Sequence, residues 1–207
     1  MARPRLHDLD ALLDAAEELL AAGDGRAVTI RAVAERAGAS SGSLYHAFGS
    51  RNELLGRLWL RAARRFLALQ REAVERCLAA GDAWEHAEDA TVAAALTLRD
   101  LQASAPASAQ VLIRHRREQL LEDGLPDALD DELRALDGEL LGVLRRLAAS
   151  LFGTADRRTV ETVAVCVVDL PPPLLDGRRP RLIDPADALA AAVRGVLRAA
   201  RPAPSGA

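Results

Sequence analysis

The sequence predicts an all-α protein, with a small N-terminal three-helix domain and a larger helical domain behind it. Three observations predict it. Apolar residues recur at i, i+3 and i+4 along most of the chain, which places them on one face of successive helices. Helix signals punctuate that pattern: Thr29, Ser40, Asp156 and Asp184 as N-caps, Pro106, Pro126 and Pro185 at openings, Gly38 and Gly153 at ends. Strands have almost no foothold. The exception, Val163 to Val168 (VAVCVV), has no visible partner strand, is preceded by a cap at Asp156 and is followed by Pro171, Pro172 and Pro173, so it too is expected to be helical. A chain of 207 residues, 50% of them hydrophobic, is long enough to build both cores.

The elements follow in order. A first amphipathic helix runs from about Leu9 to Ala22, with Leu12, Leu13, Ala16, Leu19 and Leu20 apolar and Gly23 behind it. Thr29 caps a second helix carrying Ile30, Val33, Ala34 and Ala37 on one face, and Gly38 follows where a left-handed residue is wanted. Ser40 caps a third, whose core face is Leu44 and Phe48; Ser41, Gly42, Ser43, Tyr45 and His46 are left pointing outward. Two short helices joined by a tight turn are the grammar of a DNA-reading helix-turn-helix. Small residues at the start of the third helix let its backbone approach the floor of a major groove. Ser50 and Glu53 form a capping box for a long fourth helix with Leu55, Trp59, Ala63, Phe66, Ala73 and Cys77 on one face.

Trp84, Ala87, Thr91, Ala94, Leu98 and Leu101 mark the fifth helix, Pro106 opens the sixth, and Pro126 opens a seventh that runs through Leu133, Leu136, Leu140, Leu144 and Leu147 to Gly153. The eighth contains Val163 to Val168. A surface loop is expected from Pro171 to Asp184, then a ninth helix with Pro185 at its first position and Leu189, Val193, Val196 and Leu197 as its stripe. The expected domains are 1–50, the helix-turn-helix unit, and 51–207, the larger helical body, linked by the fourth helix from Ser50, with a disordered tail at 202–207.

The segment AERAGASSGSLYHAFGSRNELL resembles the N-terminal signature of the tetracycline-repressor-like (TetR) family of transcriptional regulators. The turn glycine, capping serine, Leu-Tyr pair and following capping box agree in order and spacing. The likeness runs residue by residue from about Leu6 to Leu60 and only in general plan beyond. It implies base or near-base contact for Arg31, Ser41, Gly42 and Ser43, and phosphate contact for Thr29, Tyr45, His46 and Arg51, with Ser40 capping the reading helix. Read alone, His46 is equally an ordinary surface histidine. Arg31 matters most for sequence, because a guanidinium bridges O6 and N7 of guanine. The chain departs from the family pattern at Arg51, where lysine is usual, and at Ala47, where an aromatic or histidine is frequent. With few long side chains on the third helix, reading is expected to lean on Arg31, the N-terminal Arg3 and Arg5, and DNA shape.

The net charge of −3 excludes a non-specific nucleic-acid coat and leaves room for a local basic patch. Arg3, Arg5, Arg31, Arg51 and Arg57 are expected toward DNA, with Asp8, Asp14, Glu17 and Glu18 elsewhere on the first helix. All 27 basic residues are arginine, the mark of a GC-rich genome. The two cysteines, Cys77 and Cys166, form no CxxC pair and suit a reducing cytoplasm. No secretory leader or apolar membrane span is read. The histidines His7, His46, His86 and His115 are scattered, and His86 with Asp89 or Glu85 with Glu88 fit ligand spacing only as helix surface. No enzyme and no cofactor are therefore expected, an all-helical metalloenzyme being the rival class.

For the larger domain the resemblance implies an effector pocket and a homodimer. Trp59, Phe66, Trp84, Leu98 and Cys166 are apolar walls or plain core; in the run Arg114 to Arg117, Arg114 or His115 is expected to turn inward, unless the run is simply a solvated face. The last two helices are expected to pack on their copies, with Val163, Val167, Leu189, Val193 and Val196 at the seam. The reading is a repressor that binds a palindromic duplex operator as a homodimer and is released by a small molecule; control by a partner protein is the alternative.

Overall fold

The computed structural model describes residues 6–23, 25–117, 125–175 and 182–201, and every regular element among them is helical. These are α1 (Leu6–Ala22), a 3-10 turn (Gly25–Ala27), α2 (Ile30–Ala37), α3 (Ser41–Phe48), α4 (Arg51–Leu78), α5 (Trp84–Ser104), α6 (Pro106–Arg114), α7 (Asp127–Phe152), α8 (Arg157–Ala164), α9 (Pro171–Leu175) and α10 (Pro185–Ala200). The caps lie where side-chain chemistry puts them. Asp184 accepts from the amides of Ala186 (2.8 Å) and Asp187, with Pro185 at the first helical position where no donor is lost. Asp156 accepts from the Thr159 amide at 3.0 Å, a bond that holds its carboxyl below the usual range. The Ser50 and Glu53 box is half made: the Glu53 amide donates to Ser50 Oγ at 3.0 Å, while the Glu53 carboxylate engages Arg57 instead.

Two expectations are corrected. Val163 to Val168 is helical, but α8 widens from Val165 to Asp169 into a π turn, in which the Leu170 amide reaches the Val165 carbonyl at 3.1 Å. The prolines that follow do not begin a surface loop. Pro171 opens the short α9, in which Pro171 and Leu175 are buried, because a proline that cannot continue one helix is well suited to start the next. Residues 176–181 and the tail at 202–207 lie outside the described residues, as do Arg3 and Arg5.

The chain divides into two compact units, and the boundary is not residue 50. One comprises Met1–Arg65 and Ala105–Ala135; the other comprises Phe66–Ser104 and Leu136–Ala207. The first takes α1 to α3, the N-terminal part of α4, α6 and the start of α7. Its core holds Leu12, Ala16 and Leu20 of α1, Val33 of α2, Leu44 and Phe48 of α3, Leu55 and Leu58 of α4 and Val111 of α6. Trp59, expected on the core face of the fourth helix, is only partly buried there, because α4 buries Leu54, Leu55, Leu58 and Ala62 and so is covered on more than one side.

In the second unit α10 packs mainly on α5, with Leu189, Val193 and Leu197 buried to within 0% exposure. The same seam carries charge. Glu88, expected on the surface of α5, is only 7% exposed and is held by Arg194 and Arg198 of α10 at 3.2 Å each, with Asp89 taking Arg194 at 2.9 Å. Arg201 lies over the Trp84 ring at 4.8 Å, and Trp84 meets Phe152 edge-on.

A buried carboxylate organises the first unit. Glu17 of α1, 2% exposed, accepts from Arg61 and Arg65 of α4 and from the Ser108 hydroxyl of α6, and Arg65 Nη1 also donates to Ser108 Oγ at 2.8 Å. Three helices thus share one ionic knot. Removing one member of such a knot strands the others without compensation, so Glu17→Ala is expected to cost about 3–5 kcal/mol. Reversible urea unfolding would check this: a midpoint shift under 1 kcal/mol, by the same order-of-magnitude scale, would mean that water replaces the carboxylate.

Candidate nucleic-acid interface

The reading helices are fixed by their ends. Thr29 adopts an extended backbone and its Oγ1 accepts from the Ala32 amide at 3.1 Å, starting α2. Gly38 stops it at φ 65°, a left-handed position that only glycine takes without strain, and its amide bonds back to Glu35. One extended step later Ser40 caps α3 by accepting from the Ser43 amide at 3.1 Å, and its hydroxyl lies 2.6 Å from that of Ser43. The side chains of Leu44 and Phe48 enter the core. That orientation leaves Ser40, Ser41, Gly42, Ser43, Tyr45 and His46 all exposed, Tyr45 at 58%.

The arginines around this face are paired. Arg31, 84% exposed, gives Nε to Glu35 Oε1 at 2.9 Å, a bond that raises its pKa above the ordinary arginine value. Arg57, expected toward DNA, turns two nitrogens onto Glu53 Oε1. Arg51 is half-buried and donates Nε to the Val28 carbonyl at 2.7 Å, so it ties the start of α4 to the residue preceding the α2 cap. The acids of α1 are not merely elsewhere, as expected: Asp14 and Glu17 hold Arg61, and Glu18 holds Arg36 of α2. The pairing of Glu35 with Arg31 and of Glu53 with Arg57 was not foreseen, although each glutamate stands four residues from its arginine, at the spacing of a helical ion pair.

The residues expected to line a pocket are divided between the two units. Trp59, Arg114 and His115 belong to the first unit, whereas Phe66, Trp84, Leu98 and Cys166 belong to the second. Within the arginine run, His115 and Arg117 turn inward and Arg114 stays exposed. His115 Nε2 lies 3.3 Å from the Leu20 carbonyl, and Arg117 sits over the Trp59 ring at 5.8 Å. The second unit has a cleft of about 340 Å³ lined by Leu78, Gly81, Asp82, Ala87, Arg146 and Ser150, none of them foreseen. Among the described residues no cluster of three His, Cys, Asp or Glu side chains is placed to hold a metal ion, and no helix is long and apolar enough to cross a membrane.

Of the residues expected at a dimer seam, Val163, Val167, Leu189 and Val193 are buried within the protomer and Val196 is half-buried. The apolar side chains that α8 leaves outside are Val165 and Val168, 39% and 40% exposed. Helical spacing separates the two sets: an apolar run with no polar face buries one side and presents the other.

Residues 12–58 match the sequence profile of the bacterial regulatory proteins of the tetR family. Solved structures share the fold over nearly the whole chain. A bacterial regulatory protein in the tetR family from Rhodococcus RHA1 superposes with a TM-score of 0.66 at 19% identity, covering 97% of this chain and 100% of that one. A putative tetR family regulator from Shewanella sp. PV-4 gives 0.65 at 19%, covering 93% and 97%. The transcriptional regulator FadR from Bacillus subtilis, solved in complex with stearoyl-CoA, gives 0.58 at 17%, covering 91% and 95%. No curated protein matches the sequence.

Burial separates the two thiols. Cys166 has no exposed surface and its pKa is pushed up to about 12, whereas Cys77 is half-buried. A chromogenic disulfide reagent at pH 8 is therefore expected to titrate no more than one thiol in the folded protein and both after denaturation. A second equivalent under native conditions would show that α8 opens.

Proposed function

We propose that this chain, a member of the tetR family of bacterial regulators through its N-terminal domain, is a ligand-responsive repressor that grips a palindromic operator as a homodimer. The observation that carries the reading is the face of α3. Ser40 to Ser43, Tyr45 and His46 are exposed while Leu44 and Phe48 anchor the helix, which is the disposition a recognition helix needs to enter a major groove. Arg31 reads a base, and Tyr45, His46, Thr29 and Arg51 hold or brace the phosphate contacts; Ser41, Gly42 and Ser43 lie against base edges.

Two copies join through the outward face of α8 at Val165 and Val168, which spaces the recognition helices by roughly 34–36 Å, one turn of DNA, or a multiple of it. A small molecule bound in the second unit changes that spacing through α4, which like α7 belongs to both units. To release DNA it must favour the splayed state, since a ligand that binds both states equally shifts nothing. The stearoyl-CoA held by the Bacillus subtilis regulator supports a body of this fold taking a small effector.

The first test is selection of duplex DNA from the protein's own genome by the purified full chain, which is expected to enrich fragments sharing an inverted repeat. On such a site Tyr45→Phe weakens operator and random DNA alike. Arg31→Ala instead relaxes preference at one base pair, by about 1–3 kcal/mol of discrimination. Enrichment of no common sequence would overturn the reading.

The seam has its own test. Replacing Val165 and Val168 together by Arg leaves the protomer core untouched but places charge in the joint, so the variant is expected to be a folded monomer that has lost operator binding. Light scattering at micromolar concentration decides it, and a wild-type monomer, or a variant that still dimerises, moves the seam elsewhere.

A further inference from the structure

The paired arginines of the first unit differ in which edge they give away. A guanidinium has two forked edges: a side edge made of Nε and one Nη, and an end edge made of the two Nη groups. Arg57 gives Nε and Nη2 to Glu53 Oε1, at 3.0 and 2.8 Å, and Arg36 gives Nε and Nη2 to Glu18 Oε2. Arg31 gives Nε alone, 2.9 Å from Glu35 Oε1, and its Nη groups carry no hydrogen bond among the described residues. Its end edge is the one presented to solvent, on a side chain that is 84% exposed.

We propose that Glu35 is a specificity-determining positioning residue, which occupies the side edge of Arg31 so that only a partner with two acceptors in line, such as the O6 and N7 edge of guanine, meets the remaining edge. The inference rests on the reading of Arg31 as a base contact. Two effects act together. Glu35 biases the rotation of the guanidinium about its stem, and it offsets part of the charge that would otherwise hold Arg31 on a nearby phosphate. An unpaired arginine on a DNA-facing helix binds backbone indiscriminately, and discrimination is gained as much by weakening the wrong contact as by strengthening the right one.

Magnitude supports a positioning role over a structural one. An exposed ion pair four residues apart biases the free side chain by only about twofold, so the pair does little for the stability of α2. Next to DNA the balance changes. Once the groove excludes water the carboxylate acts through a lower dielectric, both on the guanidinium that it orients and on the phosphates that it repels.

The test uses the full-length protein and a pool of random-sequence duplexes, from which wild type selects its preferred site. That duplex and its single-base-pair variants are then titrated with wild type, Glu35→Gln, Glu35→Ala, Arg31→Ala and the double variant Arg31→Ala with Glu35→Gln. Glu35→Gln is expected to cut discrimination at the base pair read by Arg31 by about threefold to tenfold, a loss smaller than that of Arg31→Ala. It is also expected to bind random duplex several-fold more tightly, with a salt slope steeper by up to about one unit as Arg31 gains a phosphate.

Glu35→Ala behaves likewise, and in the double variant the Glu35 change no longer alters base preference. A merely structural residue would instead weaken all DNA and flatten nothing in the base profile. Circular dichroism confirms that the exposed variants keep their helices. The inference is overturned if Arg31→Ala relaxes one base pair while Glu35→Gln leaves both discrimination and salt slope as in wild type. A wild-type protein that selects no sequence is a different failure, since it removes the DNA-reading function itself.

Discussion

The reading helix cannot exist by itself, and the first unit is arranged around that constraint. An isolated helix of eight residues is far below the length at which nucleation is repaid, so α3 persists only because Leu44 and Phe48 are buried against α1, α2 and α4. Everything outward on α3 is thereby released from structural duty. Its neighbours must in turn be rigid, and the buried Glu17 supplies part of that rigidity by holding α4 through Arg61 and Arg65 and α6 through Ser108. A hydrophobic contact would tolerate sliding, whereas a carboxylate with three donors fixes angle as well as distance. The orientation of α3 is thus a property of the whole unit and not of the helix.

The second unit solves a different problem. Its helices are rich in alanine and valine, and the ordinary solution of hiding one stripe does not cover α8. The chain buries Val163, Cys166 and Val167, which share one face at helical spacing, and leaves Val165 and Val168 on the other. On the opposite side, α10 is held to α5 by both apolar packing and the carboxylate of Glu88, whose burial requires Arg194 and Arg198. Breaking the apolar seam there would therefore also strand a charge.

Local signals in the sequence were enough for most elements and for which side of α3 lies outward. Thr29, Gly38, Ser40, Asp156 and Asp184 act within three or four residues of themselves, and the structure has each of them bonding as its type requires. What stayed hidden is what depends on distant partners. That Val163 and Val193 face inward while Val165 faces out follows from packing between helices, and hydrophobicity alone ranks them alike. The same holds for Glu17 and Glu88, whose charge reads as surface until Arg61 or Arg194 arrives from far along the chain. Pro171 was legible as a terminator, but its second role as the first residue of α9 appears only when Leu175 is seen to find a buried site. Pocket residues were the least legible, because large apolar side chains look the same whether they pack on protein or on a ligand.

Pairing, and not a surplus of positive charge, is the electrostatic character of the first unit. Arg31, Arg36, Arg57, Arg61 and Arg65 each have a carboxylate partner within the unit, consistent with a chain whose net charge is −3. A surface built this way gives up some of the long-range attraction by which basic proteins collect on any nucleic acid. It gains contrast. An approaching duplex is attracted weakly until phosphates and base edges come close enough to compete with specific carboxylates, and that competition is won only where the geometry fits. For the proposed regulator, lowering the affinity for wrong sequences is worth as much as raising it for the right one. On that proposal the glutamates at positions 35 and 53 belong to the reading surface although neither need touch DNA.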